Sequence, residues 1–241
     1  MRSPYLFLKR YDHLLQNIKR ITICSKCPAL LKNGENGKPT EQQECGHEYN
    51  RYSGCCYTLL LPVENQIKFF LENHGTKPTD LPTDPDLIGD VNTGQEYKKI
   101  KEKFDQKSER FLTLQLNMDG ARFFKKSQYG FWPFMAILCE AGYKIRRSNV
   151  ILFALWYGCM KPPGYAFLEP CTDVLHQLVL TGIVFRGIKY NILPIILTCD
   201  TIARPLFSNT SQFNGECGCI FCLHTGINYI LNSLFSRFAV N

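Results

Sequence analysis

The sequence predicts an α/β fold in which an antiparallel meander leads through a crossover helix to a strand parallel to the first. Residues 112–119 alternate apolar and polar side chains, which is the period of a strand with one buried face. Two more apolar segments, 132–138 and 150–156, follow in close succession and end near glycines, which favours a meander. Helical spacing over 167–180 then precedes the apolar run 192–200, which is typical of a buried parallel strand.

The residues upstream of the meander carry weaker signals. Leucine and isoleucine among lysine and arginine over residues 1–20 predict a basic amphipathic helix with a solvated face. Residues 57–71 predict a short strand and a helix, and the proline-rich stretch 75–86 marks a boundary. The charged segment 98–110 predicts a surface helix. These features divide the chain into a basic helix and zinc-knuckle module (1–74), a linker and charged connector (75–110) and a catalytic-type domain (111–241).

A cysteine pair in the first module has the spacing of a metal knuckle. Cys24 and Cys27 are separated by two residues, and a Gly- and Asn-rich loop leads from them to Cys45 and His47. We therefore predict structural zinc on these four side chains. Cys55 or Cys56 is the alternative to His47, and ordinary unliganded thiols are the simpler interpretation of the whole set.

Two of the predicted strands end in an aspartate. Asp119 follows the first strand, and Asp200 closes the apolar run 192–200. If the two strands are parallel neighbours, the carboxylates converge at one edge of the sheet, where such pairs can bridge two divalent cations about 4 Å apart. The simpler alternatives are a turn at Asp119 and a helix N-cap at Asp200.

A second cysteine pair follows the second aspartate. Cys219 and Cys222, with His224 nearby, indicate another zinc site, for which Cys217 is a candidate fourth ligand. Unliganded thiols are an equal alternative, because the local ligand set is incomplete.

Several segments occur together in one order. They are LQLNMDGARFFKKSQYGFWPFMAIL, NVILFALWYG, TCDTIARP and QFNGECGCIFCLHTG. Together they resemble the transposases of CACTA-type (En/Spm-like) DNA transposons and their animal relatives, over roughly residues 20 to 226. The resemblance implies an RNase H-like fold, an acidic triad holding two Mg²⁺ or Mn²⁺ ions, DNA cleavage and strand transfer, DNA as the partner, and a nuclear location. The resemblance is also compatible with a homo-oligomer.

Asp119 matches the first acid of the family, Asp200 the second, and Cys219 and Cys222 its cysteine pair. The family's third acid has no counterpart, since residues 217–241 contain neither aspartate nor glutamate. We therefore expect only the N-terminal part of the catalytic domain, with a remnant cleavage site that is inactive alone. The alternative is a non-enzymatic, domesticated zinc protein that binds DNA or another protein.

Composition agrees with a nucleic-acid partner but does not require one. The net charge is +7 over 241 residues, which suits a polyanion. The apolar runs are too short for a membrane span, and no signal peptide is apparent, so no membrane partner is expected. Twelve cysteines in a reducing compartment point to metal ligands or buried thiols.

Overall fold

The computed structural model describes residues 17–32, 45–47, 56–75, 89–122, 128–208, 210–212, 215–219, 227–231 and 234–238. Its strands are β1 (Lys19–Ile23), β2 (Cys56–Leu60), β3 (Arg110–Met118), β4 (Ala121–Arg122), β5 (Gly130–Leu138), β6 (Ile151–Gly158), β7 (Ile183–Phe185), β8 (Ile188–Cys199), β9 (Ile227–Leu231) and β10 (Leu234–Phe238). Its helices are α1 (Val63–His74), α2 (Gln95–Gln106), α3 (Tyr143–Ser148), α4 (Gly164–Thr181) and α5 (Arg204–Ser208), with a 3₁₀ turn at Val91–Thr93.

The main sheet is mixed, with the strand order β1-β2-β6-β5-β3-β8-β7 and β4 beside β5. Strands β3, β5 and β6 form the predicted antiparallel meander. Helix α4 then crosses the sheet to the β7–β8 hairpin, and β8 pairs with β3 in parallel. The predicted parallel pairing of the two aspartate-bearing strands is therefore confirmed.

The apolar side chains that alternate along β3 lie on one buried face, as the sequence predicts. Its inward-facing residues are all nearly inaccessible, namely Leu112, Leu114, Leu116 and Met118. They belong to one apolar cluster with side chains from helices α1 and α4. Thr58 of β2 ties α4 to the sheet, because its hydroxyl donates to the Ala166 carbonyl at 2.6 Å. The core therefore lies between one face of the sheet and these two helices.

The first two strands extend the sheet beyond the meander. Strand β2 pairs with β6, with Tyr57 opposite Tyr157, and β1 pairs with β2. The rings of Tyr57 and Tyr157 lie 5.2 Å apart, and the Arg20 guanidinium lies 4.1 Å from the Tyr57 ring. The residues that precede and follow the first cysteine pair thus belong to the same sheet as the aspartates.

Some elements differ from the sequence prediction. In the sequence, Ile227, Ile230, Leu231, Leu234 and Phe235 have helical spacing, yet residues 227–231 and 234–238 form the antiparallel strands β9 and β10. The charged segment 98–110 is helical only as far as Gln106, where α2 ends, and Arg110 is already the first residue of β3. Residues 1–16 of the predicted basic helix lie outside the described residues, and β1 already begins at Lys19. Within the described residues, no helix is long and apolar enough to cross a membrane.

A partly buried carboxylate lies at the end of the sheet opposite the aspartates. Glu140 accepts hydrogen bonds from the Thr113 amide at 3.0 Å, the Thr113 hydroxyl at 2.7 Å and the Tyr97 hydroxyl at 3.1 Å. Burial raises the pKa of Glu140, and these hydrogen bonds offset that effect only in part. The network joins helix α2 to strand β3 and to the turn that follows β5.

This environment predicts a pH dependence of stability. Because the folded pKa of Glu140 is raised, its contribution to stability is full below the ordinary glutamate pKa of about 4.3 and is lost as pH rises through the folded value. We expect Glu140→Gln to remove that part of the pH dependence. Urea unfolding across the acid-to-neutral range measures it, with Glu169→Gln on the exposed side of α4 as the control. Parallel curves for the wild type and Glu140→Gln would contradict the assignment.

Candidate functional site

A cluster of three cysteines and one histidine lies where β1 ends. The sulfur and nitrogen atoms of Cys24, Cys27, Cys45 and His47 all lie within 4.8 Å of one another. These are the four residues predicted from spacing. Of the two alternatives to His47, Cys56 lies instead in β2 beside Cys159, and Cys55 is outside the described residues.

The geometry of this cluster fits a metal such as zinc. Zinc–sulfur and zinc–nitrogen bonds of about 2.3 and 2.05 Å in a tetrahedron place S and N about 3.6 Å apart. The distance from Cys24 Sγ to His47 Nδ1 is 3.6 Å. The soft thiolate set with one imidazole is the donor chemistry of structural zinc. The cluster could therefore hold such an ion without a large rearrangement.

A short hairpin holds the first cysteine pair. The Cys24 amide donates to the Ala29 carbonyl, and the Leu31 amide donates to the Thr22 carbonyl, both at 2.9 Å. The Lys26 amide points at Cys24 Sγ at 3.4 Å, as in a knuckle that turns its amides toward a thiolate. The Tyr165 hydroxyl donates to the Pro28 carbonyl and so ties the hairpin to the start of α4.

The thiols of the pair titrate unequally. Burial opposes the charged form of Cys24, but the Cys27 and Lys26 amides and the neighbouring thiols lower its pKa below the ordinary value. The Ala29 amide favours the Cys27 thiolate, yet burial and the Cys24 and Cys45 side chains raise its pKa. Without a metal, the thiolate form is thus favoured at Cys24 and disfavoured at Cys27.

The second candidate site is a cleft of about 370 Å³ at the end of β3 and β8 that carries the aspartates. Asp119 and Asp200 both line it. Each follows the last residue of its strand, and those last residues, Met118 and Cys199, are register partners. Neighbouring strands lie about 4.8 Å apart, so the register places residues 119 and 200 next to each other in the chain path. Both aspartates therefore line the same cleft, and a cation shared by their carboxylates stays a prediction.

The carboxylates use one oxygen each for backbone contacts. Oδ1 of Asp119 accepts the Gly120 amide at 2.7 Å, and Oδ1 of Asp200 accepts the amides of Ile202 at 3.0 Å and Ala203 at 2.5 Å. Asp200 therefore does cap the turn that leads to α5, as its simpler interpretation predicts. These contacts orient both carboxylates, and among the described residues they involve only Oδ1 of each.

A side-chain clamp joins the two strands just before the aspartates. The Asn117 amide donates to the Thr198 carbonyl at 2.9 Å and to its hydroxyl at 3.1 Å, and that hydroxyl donates to the Leu116 carbonyl at 3.0 Å. Asn117 and Thr198 each stand two residues before an aspartate and share its face of the sheet. The clamp therefore holds the register on which the carboxylate separation depends.

The remaining wall of the cleft mixes basic, aromatic and glycine residues. Arg122 and Lys161 are exposed at its rim. Trp132 packs against Gly120 so closely that a Cβ there would lie 2.6 Å from the indole, which explains the glycine after Asp119. Two exposed carboxylates with two cations at the rim suit a divalent metal and a phosphate more than an apolar ligand.

No protein-family profile matches this sequence, and no curated protein matches it.

The third predicted group of ligands is only partly described. Cys219 is half-buried, while Cys222 and His224 lie outside the described residues, so that zinc site stays a prediction. Sequence patterns did not predict that Trp132, Cys159 and Lys161 line the aspartate cleft. The glycines at positions 120 and 158 are the signal that could have indicated it, because a glycine at a strand end often marks a place where the backbone passes close to other side chains.

Proposed function

We propose that this chain derives from a CACTA-type transposase and has an RNase H-like fold. In this proposal the aspartate cleft binds one divalent cation together with a DNA phosphate. The observation that carries the proposal is the placement of Asp119 and Asp200 in one cleft, at the ends of adjacent parallel strands. That arrangement fits the first two acids that the sequence motifs imply.

The topology supports the proposed fold. The three-stranded meander, the crossover helix α4 and the parallel pair β3–β8 follow one another in the order that the residue patterns predict, which is compatible with the proposed fold. Similar topology by itself gives no activity, because one fold serves many functions. The functional part of the proposal therefore depends on the cleft.

Each cleft residue has a role in this proposal. The Oδ2 atoms of Asp119 and Asp200 hold the cation, and Arg122 and Lys161 attract the phosphate that completes its coordination. Asn117 and Thr198 keep the carboxylates at a fixed separation. A bound Mg²⁺ or Mn²⁺ would supply Lewis-acid polarisation of the phosphate.

The cleft favours one cation over two. Among the described residues that line it, Asp119 and Asp200 are the only acids. Two ions at a fixed separation require further bridging or flanking oxygen ligands. We therefore propose that the 241-residue chain binds DNA in the nucleus but does not cut or join it by itself.

A non-enzymatic zinc module is the second candidate. The Cys24, Cys27, Cys45 and His47 cluster favours it, because it is built independently of the aspartates. In that case the cleft would be a relic, and binding of DNA or a protein would depend on the metal-bound hairpin instead.

Manganese binding tests the proposal. We expect one Mn²⁺ per zinc-loaded chain by calorimetry or by the loss of the free-ion EPR signal. Asp119→Ala and Asp200→Ala should each weaken it at least tenfold, and Asn117→Ala should weaken it less, since it only positions the carboxylates. Glu169→Ala, which removes an exposed charge from α4, is the matched control and should bind as the wild type does.

DNA assays complete the test. DNA affinity should survive Asp119→Ala and fall steeply with added salt, because phosphate contacts come from lysine and arginine. Plasmid nicking with Mg²⁺ or Mn²⁺ should be absent. Nicking that disappears in Asp119→Ala would contradict the single-cation assignment, and wild-type Mn²⁺ affinity in both aspartate variants would overturn the site itself.

A further inference from the structure

Two thiols meet behind the wall of the aspartate cleft. The Sγ atoms of Cys56 and Cys159 lie 3.9 Å apart, although the residues are 103 positions apart in the chain. Cys56 is inaccessible in β2, whereas Cys159 is exposed and lines the cleft directly after β6. The pair therefore has one sulfur in the core and one that solvent can reach.

The backbone brings these sulfurs together. With Tyr57 opposite Tyr157, the β2–β6 register sets Cys56 beside Gly158, one residue before Cys159. Gly158 lacks a side chain, and a Cβ there would lie 2.7 Å from Cys56 Sγ. The missing Cβ is what lets the Cys56 thiol lie over this backbone and reach its neighbour.

A hydrogen bond from a buried side chain also holds the turn that carries Cys159. The Trp156 indole N–H donates to the Met160 carbonyl at 3.1 Å, and Trp156 itself is fully buried. Cys159 is thus presented at a defined place on a rigid strand end. A disulfide has an S–S bond of about 2.05 Å, so the sulfurs need to approach by only about 1.9 Å.

We propose that Cys56 and Cys159 form a reversible disulfide when the protein meets a small-molecule disulfide such as oxidised glutathione. The exposed Cys159 thiolate attacks one sulfur of the oxidant, forming a mixed disulfide and releasing one reduced glutathione. Cys56 then attacks the Cys159 sulfur, and the second reduced glutathione leaves. Two protein thiols lose two protons and two electrons in total, and the oxidant gains them.

The bond would alter one part of the lining of the aspartate cleft. Gly158, Cys159, Met160 and Lys161 line the cleft together. Drawing the Cys159 sulfur toward β2 removes a thiol from this wall and fixes the turn that carries Lys161. In a reducing compartment the bond would be transient, as expected for a thiol pair that responds to oxidation.

Mapping disulfides in a digest tests the proposal. Zinc-loaded full-length protein is incubated with oxidised glutathione, remaining thiols are blocked, and cross-linked peptides are located by fragmentation. We expect a Cys56–Cys159 link in most molecules, reversed by dithiothreitol, and at least tenfold slower iodoacetamide labelling of Cys159 in the oxidised protein.

Single-cysteine variants separate this link from its neighbours. Cys55→Ser should retain it, and Cys56→Ser should lose it. Because Cys56 lies in the core, its replacement could also disturb folding. Cys159 is exposed, so Cys159→Ser should abolish the link and leave the core intact. Glutathione stably attached to Cys159, a link through Cys55 or the absence of any link would each overturn the proposal. None of these outcomes depends on metal or DNA binding.

Discussion

Cys24→Ala should reduce the zinc content of the purified chain from about one ion to near zero. Cys24 is the buried ligand of the cluster, and its Sγ lies 3.6 Å from His47 Nδ1, so its loss opens the centre of the site. Structural zinc contributes apparent binding free energies of about 10–16 kcal/mol in small peptides, and that energy is coupled to folding. The hairpin that carries Cys24 and Cys27 should therefore loosen.

Elemental analysis measures the metal, and hydrogen exchange of residues 19–31 measures the loosening. A chelator added to the wild type should reproduce both effects. Cys159→Ser removes an exposed thiol outside the cluster and is the matched control, expected to keep its zinc. Zinc that remains at wild-type level in Cys24→Ala would refute the site.

Trp156→Ala should destabilise the folded chain by about 3–5 kcal/mol. The side chain is fully buried in β6, and its removal leaves a large cavity below the cleft wall. It also deprives the Met160 carbonyl of its hydrogen bond. For a chain of this length, such a loss corresponds to a fall in melting temperature of roughly 10 °C.

The cross-strand partner of this residue provides the control. Trp132 stands opposite Trp156 in the register, but it is half-buried and lines the cleft. Trp132→Ala should cost clearly less, and Trp156→Phe should cost about 1–2 kcal/mol, chiefly through the lost hydrogen bond. Thermal unfolding followed by circular dichroism compares the three, and an equal fall for both alanine variants would contradict the assigned role of Trp156.

Local pattern accounts for most of what the sequence predicted correctly. Alternation over 112–119 and the apolar runs that follow it specify which faces are buried, and the structure has strands at these places. The C-x₂-C spacing and its downstream partners likewise predicted the four clustered ligands. The strand alternation and the C-x₂-C pair lie in short stretches of chain, where backbone geometry alone fixes the relation between residues, whereas Cys45 and His47 reach the pair through a loop.

Long-range pairing accounts for what the sequence did not predict. The Glu140 network joins groups from different elements, and Cys56 meets Cys159 only because β2 adds to the edge of β6. The paired strands β9 and β10 also depart from the helical spacing of their apolar residues, since short apolar runs fit either periodicity.

The sequence by itself determined that two strands end in Asp119 and Asp200 and that Cys24, Cys27, Cys45 and His47 have ligand chemistry. Only the tertiary structure decided that the aspartates share a cleft with Arg122, Trp132 and Lys161. It also decided that Cys159, which lines this cleft, lies beside Cys56. Residue type and period are properties of neighbouring positions. Which strands become neighbours depends on the free energy of the whole sheet and core, which no single segment encodes.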